Sequence, residues 1–243
     1  MIPWEAKLTL IFRTVTALHH ASYFGLENIV LNFLDREKFH IDARTKMGTT
    51  PIIKAACARP AGHPSVVKML LQRGADPCLG NWYGNALHCA AEAGCSTVVR
   101  QLIDYGMNPN DTKHYDRLPI YCTLDNDRSS AFETLVELGA DINLSVFHKA
   151  IKYGCFNVVD LILQRHWTQL ESKTTSGIAA MHFAAEEGDM AIISRLLEAG
   201  ADINILDSKG KTPLDYVGRN FNEDVAMYML SHGAVRGISK DMA

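Results

Sequence analysis

Apolar residues fall into short segments arranged in pairs, and the pairs recur along the chain. Between Lys173 and Asn204 a polar turn leads into an apolar segment that ends near Gly188, and a second segment runs from Met190 to Ala199. Ala180, Met181, Ala184 and Ala185 fall on one helical face of the first segment, and Ile192, Ile193, Leu196 and Leu197 on one face of the second. The pattern predicts helix, turn, helix, loop, with the two helices antiparallel. An apolar residue at Leu18, Ile52, Leu87, Ile120, Phe147, Met181 and Leu214 marks this unit at spacings of 34, 35, 33, 27, 34 and 33 residues.

Stop and start signals repeat with the core. Gly74, Gly106, Gly139, Gly200 and Gly233 each follow an apolar segment such as VVKMLLQR or AFETLVEL, where a left-handed residue ends a helix without a Cβ penalty. Thr50-Pro51 and Thr212-Pro213 place a hydroxyl at the cap and a proline at the first helical position. Alanines at 55, 56, 90, 91, 184 and 185 let neighbouring helices approach closely.

These units resemble ankyrin repeats, whose period is about 33 residues. TPII at 50, TPLD at 212, ALHHAS at 17, NALHCAA at 85 and AAMHFAA at 179 are similar to the family's TPLHxAA, and GADP at 74 and GADIN at 139 and 200 to its helix-end motif. The resemblance implies an all-α fold, an ankyrin-repeat solenoid of antiparallel helix pairs with hairpin-like finger loops. It assigns residues 1–15 to a cap, 16–236 to about seven repeats and 237–243 to a tail. With helices about 10 Å across, the stack is expected to be on the order of 70 Å long and slightly curved. It also implies that His19, His88, His148 and His182, each one residue after the repeated apolar position, hydrogen-bond between adjacent turns.

Departures from the pattern predict irregularities. Extra residues within Cys57–Gly62, with Arg59-Pro60 among them, predict a bulging loop. The 27-residue spacing before Phe147 predicts a missing finger near Asn143 to Val146, with intact helices on either side. His166 stands where a glycine is expected, which leaves that helix end open. Trp4, Leu8, Ile11, Phe12 and Val15, at helical spacing, read as a cap or as part of a preceding helix.

Composition narrows the role without fixing it. The net charge of -3 and pI near 6.4 supply no general attraction to phosphate backbones or anionic lipid, so neither nucleic acid nor membrane is expected as a partner. Residues 1–121 carry 13 basic and 10 acidic side chains and residues 122–243 carry 11 and 17. The six cysteines form no CxxC pair, which fits reduced thiols and a cytoplasmic or nuclear location. Leu8 to Phe12 is too short for a signal-peptide core.

Catalytic patterns are weak. Gly210-Lys211-Thr212 is similar to the tail of a phosphate-binding loop, but Ile205 stands where its first glycine belongs. No spacing pairs a nucleophile with a base. Catalytic residues, cofactor, metal and small-molecule ligand are accordingly all expected to be absent.

By the resemblance, a protein partner is bound through finger tips and exposed first-helix positions. Those offsets fall on Tyr23, Phe24, Lys46, Met47, Trp82, His114, Tyr115, Arg117, Lys152, Tyr153, Glu186 and Glu187. Met47, Trp82, His114, Tyr115, Arg117, Tyr153, Glu186 and Glu187 form the candidate protein-binding set, with Trp82, Tyr115 and Arg117 as anchors between repeats two and five. The function expected is a non-enzymatic scaffold or adaptor. As an alternative, TALHHASYFGLENIV resembles the onset of ankyrin arrays behind fungal NACHT-type nucleotide-binding domains, which would make the chain the recognition part of a larger signalling ATPase.

Overall fold

The computed structural model describes residues 17–35, 39–112, 117–217 and 223–237. Helix α1 is described over 17–23 and is followed by α2 (Glu27–Leu34). Then come α3 (Pro51–Ala56) with α4 (Pro64–Gln72), α5 (Ala86–Ala93) with α6 (Ser96–Asp104), and α7 (Pro119–Cys122) with α8 (Ser129–Glu137). Beyond these lie α9 (Leu144–Lys152) with α10 (Phe156–Gln164), α11 (Ala180–Glu187) with α12 (Met190–Glu198), and a 3-10 turn at Pro213–Asp215 with α13 (Glu223–Ser231). The chain divides into two compact units, Met1–Ala140 and Asp141–Ala243. In the first, α3 packs on α5 and α5 on α7, while α4 packs on α6 and α6 on α8; in the second, α9 packs on α11 and α10 on α12.

One burial pattern explains the stacking. The seven repeated apolar residues, Leu18 through Leu214, are all buried. Five of the second helices, α4, α6, α8, α10 and α12, bury a residue, its successor and the one four further on: Val66, Val67 and Leu70; Val98, Val99 and Leu102; Ala131, Phe132 and Leu135; Val158, Val159 and Ile162; Ile192, Ile193 and Leu196. Ala55, Ala56, Ala90, Ala91, Ala184 and Ala185 are equally enclosed. Their small side chains set how closely one repeat's first helix meets the next.

The helix ends are built alike. At Gly74 and Ala75 the backbone N–H groups donate to Leu71 and Leu70 carbonyls, both at 3.0 Å, and the same double bond recurs at Gly106, Gly139, Gly200 and Gly233. These glycines have φ between 86° and 109°, and a Cβ placed on any of them meets nothing within 4 Å. Glycine is therefore required by backbone conformation, with no shortage of space. The open question at His166 resolves the same way: α10 ends on schedule, His166 takes φ 52°, and Trp167 N–H bonds the Ile162 carbonyl at 3.1 Å. A histidine bears the strain that glycine avoids elsewhere.

The irregular places match expectation in part. Residues 57–63 connect α3 to α4, against 94–95 for α5 to α6, and the Arg59–Pro60 peptide bond is cis. His63 from this bulge packs over Gly25 and its Nε2 lies 2.8 Å from the Tyr23 carbonyl. Only 138–143 separate α8 from α9, against 73–85 between α4 and α5, so the finger is indeed missing. It is lost before Asn143, since Leu144 to Val146 already form the first turn of α9. Asn143 caps that turn, its side chain accepting from Val146 N–H at 3.1 Å, whereas Asn110 and Asn204, at the same offset from their glycines, donate to the carbonyls of Gly139 and Gly233.

Two expectations are corrected. The helix before the short spacing is not intact: α7 is one turn, followed by a 3-10 turn at Leu124–Asn126 and a left-handed Asp127. Thr123 Oγ1 donates to the Ile120 carbonyl at 2.6 Å, and the following Asp-Asn-Asp run consists of side chains that compete with helical hydrogen bonds. The threonine caps also differ, because the Thr50 hydroxyl is buried without a partner and Thr212 Oγ1 donates to the Val235 carbonyl at 2.7 Å. At Thr212 the cap runs in reverse, with the Asp215 carboxylate accepting from Thr212 N–H at 2.9 Å.

Leu102 is fully enclosed, so Leu102→Ala is expected to cost about 2–5 kcal/mol in urea unfolding. An unmoved midpoint would contradict the core assignment. His166→Gly is expected to stabilise by about 0.5–1 kcal/mol through relief of the left-handed strain, read as a higher thermal midpoint.

Candidate interaction surface

The loops between repeats fold back as fingers closed by short backbone bonds, Thr45 N–H to Thr49 O, Thr174 N–H to Ile178 O and Asp207 N–H to Lys211 O, each at 2.9 Å. Buried histidines tie these fingers to the repeat before them. Nε2 of His19 lies 2.7 Å from the Thr49 carbonyl, that of His88 2.9 Å from Arg117 O, and that of His182 3.3 Å from Lys211 O. His182 Nδ1 accepts from Ala179 N–H at 3.2 Å, which leaves its Nε2 as the donor. These are the bonds between adjacent turns that the repeated histidine implied. His148 departs from the rule: it is buried, and its Nε2 has no hydrogen-bond partner. Burial holds its pKa down to about 4, so the ring is neutral at pH 7. Burial likewise lowers the pKa of His182, against hydrogen bonds to Lys211 and Ala179 that raise it.

In the first unit the exposed aromatic side chains gather on the fingers and first helices. Trp82 is 77% exposed, Tyr83 72% and Met47 54%. Met47 and Tyr83 border a cavity of about 420 Å³ that also takes in Tyr23, Lys54, Arg59 and Glu92. Lys54 Nζ lies 5.8 Å from the centre of the Tyr23 ring, a cation–π distance. Tyr83 was not in the sequence-based set; its position beside Trp82 at the finger tip is the signal that could have found it. Arg117 is bonded within its own repeat, donating to the Tyr121 carbonyl at 2.7 Å and to the Asp125 carboxylate at 2.6 Å, while its own carbonyl lies 2.9 Å from His88 Nε2. His114 and Tyr115 lie outside the described residues, as do Trp4, Leu8, Ile11, Phe12 and Val15.

In the second unit Tyr153, just past the end of α9, is 56% exposed, and Glu187 is exposed on α11 beside half-buried Glu186. Glu186 borders a polar cavity of about 430 Å³ with Asp207, Lys211 and Tyr216. There Tyr216 OH donates to Asp207 Oδ2 at 2.7 Å. Burial, then that bond, push the Tyr216 pKa up to about 12. Burial works to raise the Asp207 pKa, but the hydrogen bonds from Tyr216 and from Lys211 and Lys209 N–H outweigh it and hold the carboxyl below its ordinary value.

Burial pushes the Cys122 thiol up to about 11 and that of Cys89 higher still, which suppresses thiolate. Among the described residues no group of three or more His, Cys, Asp or Glu side chains is placed to hold a metal, and no helix is long and apolar enough to cross a membrane.

The model of ankyrin repeats matches the chain in three copies, over residues 5–81, 79–146 and 147–240. The chain belongs to the ankyrin repeat family. Mouse B-cell lymphoma 3 protein homolog is 25% identical over 186 residues, 72% of this chain and 41% of that protein. Neurogenic locus notch homolog protein 1 of Cricetulus griseus is 26% identical over 158 residues, 62% of this chain and 6% of that protein. This ankyrin chain thus spans well under half of the curated relatives it matches. Among solved structures, the ankyrin repeat domain of human ASB11 superposes with a TM-score of 0.75 over 90% of this chain and 99% of that one, at 19% identity. The ankyrin repeat domain of Bcl-3 superposes with a TM-score of 0.67 over 88% of this chain and 97% of that one, at 26% identity.

The buried neutral histidine gives a pH signature. His148 has a folded pKa of about 4 against an ordinary 6.5, so between those values the unfolded chain binds the proton more readily. Its contribution is intact above about pH 6.5 and declines toward pH 4, by about 3 kcal/mol in all. Chemical unfolding followed from pH 7.5 downward should show this fall, and His148→Phe should flatten it.

Proposed function

We propose that this ankyrin array is a non-enzymatic scaffold or adaptor that binds a partner protein through its fingers and first helices. Its principal contact lies within repeats one to three. The observation that carries this reading is the exposed cluster of Trp82, Tyr83 and Met47 beside the cavity bordered by Tyr23 and Lys54. Large aromatic side chains in water serve no folding purpose, and they dominate protein interfaces because they bury much area and carry a polar handle. Tyr23, Lys54 and Arg59 frame the cavity with cationic and aromatic groups suited to a mixed polar and apolar peptide surface. Arg117 acts here as a brace for the finger, through its bonds to Tyr121 and Asp125. The cytoplasm, with the nucleus as second compartment, fits the reduced thiols.

The double variant Trp82→Ala, Tyr83→Ala changes solvent-exposed positions and is expected to leave the thermal midpoint within about 0.5 kcal/mol of the parent. It is expected to lose about tenfold or more in affinity for proteins that the parent chain captures, the equivalent of about 1.4 kcal/mol. Equal capture by parent and variant would move the contact elsewhere.

A further inference from the structure

His148 borders a cavity and, unlike His19, His88 and His182, has no backbone carbonyl against its Nε2. At His19, His88 and His182 this nitrogen meets a finger carbonyl at 2.7, 2.9 and 3.3 Å. His148 is only 6% exposed, its Nε2 is shut off from solvent, and no hydrogen bond reaches it. Helix α9 starts three residues before Phe147, whereas α5 and α11 start one residue before Leu87 and Met181. Its added first turn, with Leu144 and Ser145, stands where a finger begins in other repeats.

That turn walls a cavity of about 530 Å³, which His148 and Phe183 also border. The two rings lie 4.7 Å apart. The charged groups on the lining are all cationic: Lys149 and Lys152 from α9 and Lys173 from the next finger, with no carboxylate among the lining residues. Lys173 Nζ is positioned by one bond to the Leu206 carbonyl at 3.0 Å and retains further N–H donors. This cationic lining occurs in the half of the chain where 17 acidic side chains outnumber 11 basic ones, so it runs against the prevailing charge.

We propose that this cavity binds an acidic, extended peptide segment of a partner protein. Lys152 and Lys173 hold its carboxylates, and Leu144 and Phe183, beside the His148 ring, receive an apolar side chain. Opposite charge across the contact sets specificity and encounter rate. The inference rests on the protein-binding reading above but concerns a separate surface in the second unit.

The test is a titration of the full chain, labelled with ¹⁵N-histidine, with a blocked peptide of glutamates flanking a central leucine. The same peptide with glutamines is the control. The His148 Nε2 resonance is expected to move while that of His182 stays, and Lys152→Glu, at an exposed position, is expected to weaken binding about tenfold with an unchanged thermal midpoint. Lys173→Gln provides a second variant that keeps a side-chain donor near the Leu206 carbonyl. Equal binding of the glutamine peptide, or an unmoved His148, overturns the inference. So does full reproduction of the His148 shift by inorganic phosphate alone, which would mark a free-oxyanion site instead. The titration needs no cellular partner, so its failure leaves the Trp82 and Tyr83 capture result standing, and failed capture leaves the titration readable.

Discussion

The helices from α2 to α13 are too short to hold themselves together. Segments of four to nine residues fall below the length at which an isolated helix survives in water, so their stability comes from burial against the helices before and after them. The triplets of enclosed residues on α4, α6, α8, α10 and α12 and the alanine pairs on α3, α5 and α11 supply much of that burial. Exposed ion pairs between neighbouring repeats, such as Arg73 with Asp35 and Arg100 with Glu137, sit in water and add little. The fingers are held by a different device, a buried imidazole bonded to the next finger's carbonyl, and the surface available to a partner depends on that alignment.

This dependence explains which features were legible in the sequence. Burial recurs with the chain's period, so the helix pairs and the stops at Gly74, Gly106, Gly139, Gly200 and Gly233 could be read from spacing. The bulge after α3 and the lost finger before α9 were legible as excess and deficit of residues. Hydrogen-bond partners were less so. Thr50 and Thr212 have the right type and place for hydroxyl caps, but which acceptor or donor lies nearest depends on the neighbouring repeat. The collapse of α7 to one turn reflects a contest between side-chain and backbone hydrogen bonds around Thr123, and periodicity carries no record of it.

Surface exposure divides along the same line. Exposure at finger tips follows from register, so the offsets that select Trp82, Met47 and Tyr153 fall on exposed side chains. Tyr83, equally exposed, adjoins the chosen offset, and the bonds of the Arg117 guanidinium to Tyr121 and Asp125 leave no trace in the spacing. The unpartnered nitrogen of His148 could not be foreseen, since the four repeated histidines look identical in sequence. In the structure His148 also differs in lying on a helix that begins two residues early relative to α5 and α11.

The open space around the terminal glycines has a consequence for how such chains are read. Because no neighbouring atom crowds those positions, the column records a backbone angle and tolerates any side chain that accepts it, as His166 does. Scanning for glycine at a fixed interval would skip the fifth repeat and report a break in the array. Scanning for the pair of amides that turn back onto the helix's last carbonyls would count it, since Trp167 and His166 make that closure as Ala75 and Gly74 do.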